Sequence, residues 1–160
     1  MPLYFYMYYF LAGLMIALDQ ITKLYIGQTL ALGESLEVLP GIFYIRYVEN
    51  TGAAFSLFSG HTKALGIVTL VVILGIFIYM ARLPRDESRL YKLSLVMIVA
   101  GGMGNAIDRF LRGYVVDFFD FVVWPVFNVA DIFVCLGCGL LIFCVFIWLP
   151  LREKRKGRVK

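Results

Sequence analysis

Four long stretches of this chain carry no charge at all: residues 3–18, 64–81, 93–107 and 132–151. A helix needs about 20 mostly apolar residues to cross a hydrocarbon core about 30 Å thick, because each residue adds about 1.5 Å. The first and third stretches reach that length only by continuing through Asp19 and Asp108, which draws both carboxylates toward the bilayer. With 61% hydrophobic residues in 160, the chain has far more apolar surface than a water-soluble fold of that size needs to bury. The sequence therefore predicts one integral membrane domain over residues 1–160, with spans at roughly 3–24, 64–82, 92–110 and 131–150.

Basic residues set the expected orientation, since cytoplasmic loops collect Lys and Arg near helix ends. Arg82, Arg85, Arg89 and Lys92 lie between the second and third spans, and Arg152, Lys154, Arg155, Lys156, Arg158 and Lys160 follow the fourth. Both termini, including the tail 152–160, are expected in the cytoplasm, with segments 27–63 and 111–130 on the opposite face. The net charge of +4 comes mainly from the tail, so it reads as an orientation and lipid-surface signal, and no nucleic-acid partner is expected. The N-terminal run lacks a positive leader and a convincing cleavage site, so it is expected to stay as the first span. Segment 27–63 carries Pro40, Gly41 and Gly52 as breakers and the β-favouring run "IFYIRYV". The expected fold is an all-α membrane protein of four transmembrane helices, with a small β-rich surface element between helices 1 and 2.

A charged group near hydrocarbon costs at least about 2.5–3.5 kcal/mol, so the charges kept there are functional candidates. In "DQITK", Asp19 and Lys23 stand at i and i+4, and spacing alone favours an interfacial ion pair with Lys23 snorkelling to the surface. "ENTGAAF" sets Asn50 beside Gly52, by itself a turn signal. In "AGGMGNAIDR", Gly101, Gly102 and Gly104 permit close helix approach, while Asn105, Asp108 and Arg109 share a face. That pattern fits a structural polar clamp or a substrate site equally well.

The stretch "VVDFFDFVVWPVFNVAD" adds Asp117, Asp120 and Asp131. Each can be a helix cap or a loop acid, and Asp120 suits that reading best. Asp117 and Asp131, one anchored beside each neighbouring helix, can instead meet at the membrane surface and share a proton, because two close carboxyl groups do not easily both ionise. "CLGC", Cys135 to Cys138, has redox spacing but lies inside an apolar span, where small residues for helix packing are the better reading. His61 is the only histidine, and no ligand cluster with metal spacing is evident, so neither a metal nor a cofactor is expected.

Taken in order, "DQITK", "NTGAAF", "GGMGNAIDR", "VVDF" and "FNVAD" resemble the motifs of the bacterial lipoprotein signal peptidases, or signal peptidase II. The resemblance runs from the first span to the fourth. It implies catalytic aspartates at Asp117 and Asp131 and matches the family's other polar motif positions at Asp19, Lys23, Asn50, Asn105, Asp108, Arg109 and Asn128. The implied activity is an aspartic endopeptidase of the bacterial cytoplasmic (inner) membrane, working at its outer face. It would remove the signal peptide of a prolipoprotein immediately before its diacylglyceryl-modified cysteine. The expected partners are that substrate and membrane lipids, and the expected state is a monomer. Asn105, Asn128 and Arg109 would face substrate carbonyls, with Asp19, Lys23 and Asp108 as supports. Two rival classes are a proton-coupled transporter using the acids as a relay, and a thiol oxidoreductase using "CLGC".

Overall fold

A computed structural model describes residues 3–52, 60–84 and 87–151. The described residues form four helices and three strands, in the order α1 (Leu3–Thr29), β1 (Ser35–Leu39), β2 (Phe43–Asn50), α2 (Thr62–Arg82), α3 (Arg89–Leu111), β3 (Val115–Asp120) and α4 (Val129–Phe143). α4 continues through π-helical winding at Cys144–Trp148, so the helical rod reaches Leu151. All four rods are long and apolar enough to cross a membrane. The first runs five residues beyond the expected end at 24, to Thr29.

The large side chains point outward. Phe10, Ile21, Val71 and Phe146 are 68%, 64%, 65% and 74% exposed, a pattern that suits lipid and not water. α3 is the central rod, with half of its spanning residues buried against 11–17% in the other three. Helices in lipid gain nothing from hiding apolar surface from water, so they pack by close backbone approach at small residues. Here those residues are glycines. A Cβ on Gly137 would lie 2.8 Å from the Ser94 carbonyl oxygen, and one on Gly101 would overlap the Ala130 carbonyl oxygen. The packing expected of Cys135 and Cys138 falls to Gly137 between them, because at i and i+3 both thiols turn to the exposed side of α4.

The sheet forms at the end of the bundle where α1 and α3 finish and α4 begins. Its order is β1-β2-β3, antiparallel throughout, with Val48 opposite Asp117 and Asn50 opposite Val115. β3 comes from the segment between α3 and α4 and adds a strand that the sequence reading placed in a loop. Gly113, at φ 83°, closes α3: its N–H and that of Arg112 both bond to the Asp108 carbonyl, and the chain turns directly into β3. Strand alternation then sorts the side chains. Val116 and Phe118 pack with Ile26, Tyr47 and Val129 into the core under the sheet, which leaves Asp117 on the other face.

Candidate active site

Asp117 and Asp131 are brought together by one residue. Asn128 is the N-cap of α4; its Oδ1 accepts from the Asp131 backbone N–H at 3.0 Å, and Asp131 Oδ2 accepts from the Asn128 backbone N–H at 3.1 Å. This reciprocal capping box fixes where α4 begins and which way Asp131 points. The Nδ2 of the same Asn128 donates to Asp117 Oδ1 at 2.7 Å, so the cap also reaches across to β3. Asn50, on β2, donates to Asp117 Oδ2 at 2.8 Å, and Asn105, on α3, donates to Asp131 Oδ1 at 2.7 Å. Asp131 therefore takes part in capping α4 and is joined to Asp117 through Asn128.

Asp117 is 2% exposed. Burial, and after it the charge of Asp131, push its carboxyl up from 3.8 to about 7, against the pull of the Asn50 and Asn128 hydrogen bonds. Two carboxyl groups so placed do not easily both ionise. Both carboxylates line a cavity of about 450 Å³ whose walls are otherwise largely apolar, including Trp124, Val126, Phe127, Ile132 and Leu136.

A second cluster supports the first from inside the bundle. Lys23 lies 2.9 Å from Asp19 Oδ2, 2.9 Å from Asp108 Oδ2 and 2.8 Å from Asn105 Oδ1. Snorkelling is thus overturned: Lys23 is 1% exposed, because its three hydrogens are satisfied inside. Asp19 also accepts from the Ala130 backbone N–H at 2.9 Å, and Asp108 accepts from the Val116 backbone N–H at 3.2 Å. One charged knot therefore ties α1, α3, α4 and β3 beneath the pair. Breaking one partner of such a knot costs about 3–5 kcal/mol.

Asp108 and Arg109 do not act on the same face. Asp108 turns inward to Lys23 and Arg112, whereas Arg109 lines the cavity, donates to the Gly52 carbonyl at 3.4 Å, and has a buried Nε with no partner among the described residues. Asp120 stands apart at the far end of β3, 3.7 Å from Arg46. Of "NTGAAF", Asn50, Thr51 and Gly52 are placed as described; Ala53, Ala54 and Phe55 lie outside the described residues, as do Arg85 and the tail 152–160. The sequence reading missed Gln20, which donates to Asp19 and Asp108 at 3.1 and 3.2 Å, and Arg112, which pairs with Asp108. Arg112 was legible, since it follows Asp108 at the same i+4 spacing that links Asp19 to Lys23. Gln20 carried no signal until α1 and α3 were seen to meet.

Fold and site define a multi-pass membrane protein in which a buried Asp117 and a half-buried Asp131 face a largely apolar cavity at one end of its helices. The model of the signal peptidase (SPase) II family matches residues 11–147, and the chain belongs to that family of membrane proteases. The lipoprotein signal peptidase of Trichormus variabilis is 49% identical over 126 residues, which cover 78% of this chain and 79% of that protein. That of Listeria welshimeri is 42% identical over 147 residues, covering 88% and 94%. A solved bacterial membrane enzyme superposes with a TM-score of 0.80 at 30% identity, covering 87% of each chain. A second gives 0.77 at 30% identity, covering 88% of this chain and 93% of that one.

Proposed function

We propose that the protein is an aspartic endopeptidase that removes the signal peptide of diacylglyceryl-modified prolipoproteins, cleaving immediately before the lipidated cysteine. Asp117 and Asp131 are its catalytic residues. The observation that carries this reading is the pairing of the two carboxyl groups through Asn128 at the wall of an apolar cavity. Signal-peptide and acyl chains suit such walls, and the scissile peptide meets the polar cluster of Asn50, Asn105, Arg109, Asp117 and Asp131.

In the first step the ionised carboxylate takes a proton from water as the water oxygen attacks the scissile carbonyl, while the protonated carboxyl gives its proton to the carbonyl oxygen. In the second, the tetrahedral diol collapses: the C–N bond breaks, the amine leaves with a proton from the first aspartate, and a diol proton returns to the second. The pair ends as it began. The titration belongs to both groups together, so neither is assigned the base. Arg109 offers its guanidinium to a substrate carbonyl; Asn105 and Asn128 hold the pair, and Asp19, Lys23 and Asp108 support it. The basic residues Arg82, Arg89 and Lys92 lie at the opposite end of the bundle from the sheet, which favours both termini in the cytoplasm and the site at the outer face. The protein works as a monomer in contact with membrane lipid.

The test is cleavage of a lipidated and a non-lipidated precursor by purified protein. Processing should be confined to the lipidated form. Asp117→Asn and Asp131→Asn should each lower turnover by about 100- to 10,000-fold or more while the protein still inserts, and Asp120→Asn should be mild. Equal loss at all three positions would reject the assignment.

A further inference from the structure

A buried ammonium is a donor with no acceptor function, so an amide that faces it must turn its oxygen toward it. Lys23 places such a group 2.8 Å from Asn105 Oδ1. Asn105 is thereby fixed with its NH2 group on Asp131 Oδ1 at 2.7 Å. Turning it round would set NH2 against the ammonium and against Asn128 Nδ2, which now donates to Asn105 Oδ1 at 3.1 Å. Asn128 is oriented by the backbone N–H of Asp131, and Asn50 by the backbone N–H of Gly52 on its Oδ1 at 2.9 Å. Among the described residues, Asn105 is the one of the three amides serving the aspartate pair that takes its orientation from a charged side chain. With the Asn128 backbone N–H on Asp131 Oδ2, all four carboxyl oxygens accept one bond from a group that cannot accept one back.

We propose that Lys23 is a positioning residue that sets the hydrogen-bond polarity of the catalytic pair without touching it. By holding Asn105 with only donors toward Asp131, it confines the shared proton to the carboxyl lone pairs left open to the cavity, where water and substrate meet it. The inference rests on Asp117 and Asp131 being the acid–base pair. A merely structural lysine would balance the charges of Asp19 and Asp108 and stop there.

A cycle of variants separates the two roles. In an Asp19→Asn background, which loses a negative charge, Lys23→Met loses a positive one and leaves the buried balance intact. Cleavage of a lipidated precursor is then compared for Lys23→Met, Asn105→Ala and both together, with kcat, KM and the pH profile measured on protein recovered from membranes. Besides each other, Lys23 from α1 and Arg109 from α3 are the charged groups acting on the pair, and Lys23 in turn faces Asp19 and Asp108, so the profile is compared within this one background.

Each single change should lower kcat by about 10- to 100-fold with KM within about twofold, and the double variant should be no worse than the worse single one. Losses that multiply would overturn the proposal. If Lys23→Met does not insert, Asn105→Asp answers in its place, since it gives Lys23 a carboxylate but faces Asp131 with an acceptor. A similar fall in kcat then supports the polarity role, and parental kcat overturns it. Asp117→Asn runs alongside: full activity in that variant would remove the underlying catalytic reading, whereas its inactivity beside multiplying losses removes only the role of Lys23.

Discussion

Replacing Gly101 with alanine tests whether the contact between α3 and α4 holds the catalytic geometry. The new methyl would overlap the Ala130 carbonyl oxygen and stand 2.8 Å from Val134 Cγ2 and 3.0 Å from the Val134 backbone nitrogen. Carbon contacts relax at about 3.5–4.0 Å, and two of these three neighbours are backbone atoms, so rotating a side chain cannot clear them. The helices must part by roughly 1 Å, and Ala130 carries Asp131 with it as the next residue. A misplacement of about 1 Å at a reacting group costs about 100-fold in rate, while overpacking costs about 1–3 kcal/mol of stability. Initial rates of precursor cleavage, normalised to inserted protein, measure the first; thermal unfolding in the same detergent measures the second. Gly139→Ala is the control on α4, because a Cβ there meets nothing within 4 Å. Normal turnover by Gly101→Ala, or an equal loss in Gly139→Ala, would refute the reasoning.

Four further outcomes are expected. With the Asp117 carboxyl pushed up from 3.8 to about 7 by burial and then by Asp131, kcat/KM should fall about tenfold per pH unit above roughly pH 7. The folded chain holds that proton more tightly than the unfolded one, so this group's contribution to stability should also decline as pH rises from 3.8 through about 7, which unfolding midpoints across that window would register. Arg109→Lys keeps the charge but loses the planar fork of donors, so turnover should drop by about tenfold or more with insertion unchanged, and near-normal cleavage would reject a substrate-holding role. A cysteine placed at Glu37 in a background without native cysteines should react with an impermeant thiol reagent from outside, and one at Glu87 should not; the reverse pattern would invert the topology.

The four membrane-spanning helices were legible because hydropathy over 20 residues is a strong one-dimensional signal, and the glycines of "AGGMG" because lipid leaves close packing as the main way to join helices. The pairing of Asp117 with Asp131 was legible as a possibility, through two acids bracketing a short loop. What stayed hidden depends on contacts between distant segments. β3 is a strand of alternating faces, but its two acids broke the apolar alternation that would have announced it. Lys23 looked interfacial because spacing along one helix shows a single partner, Asp19; the other two, Asp108 and Asn105, come from α3. Arg46, which comes within 3.7 Å of Asp120, belongs to a strand whose partner, β3, lies far along the chain, beyond α2 and α3.

The cap of α4 has a consequence for how such a protease is assembled. Asn128 can start the helix only when Asp131 sits at its third position, and Ala130 is docked only when Asp19 from the first helix accepts its N–H. Assembly of the reactive pair therefore waits for the last helix to begin at the correct residue and to settle against the first. Until then Asp117 and Asp131 lack the Asn128 bridge that joins them. If Asp117 and Asp131 are the catalytic pair, completion of the bundle is what brings them into register.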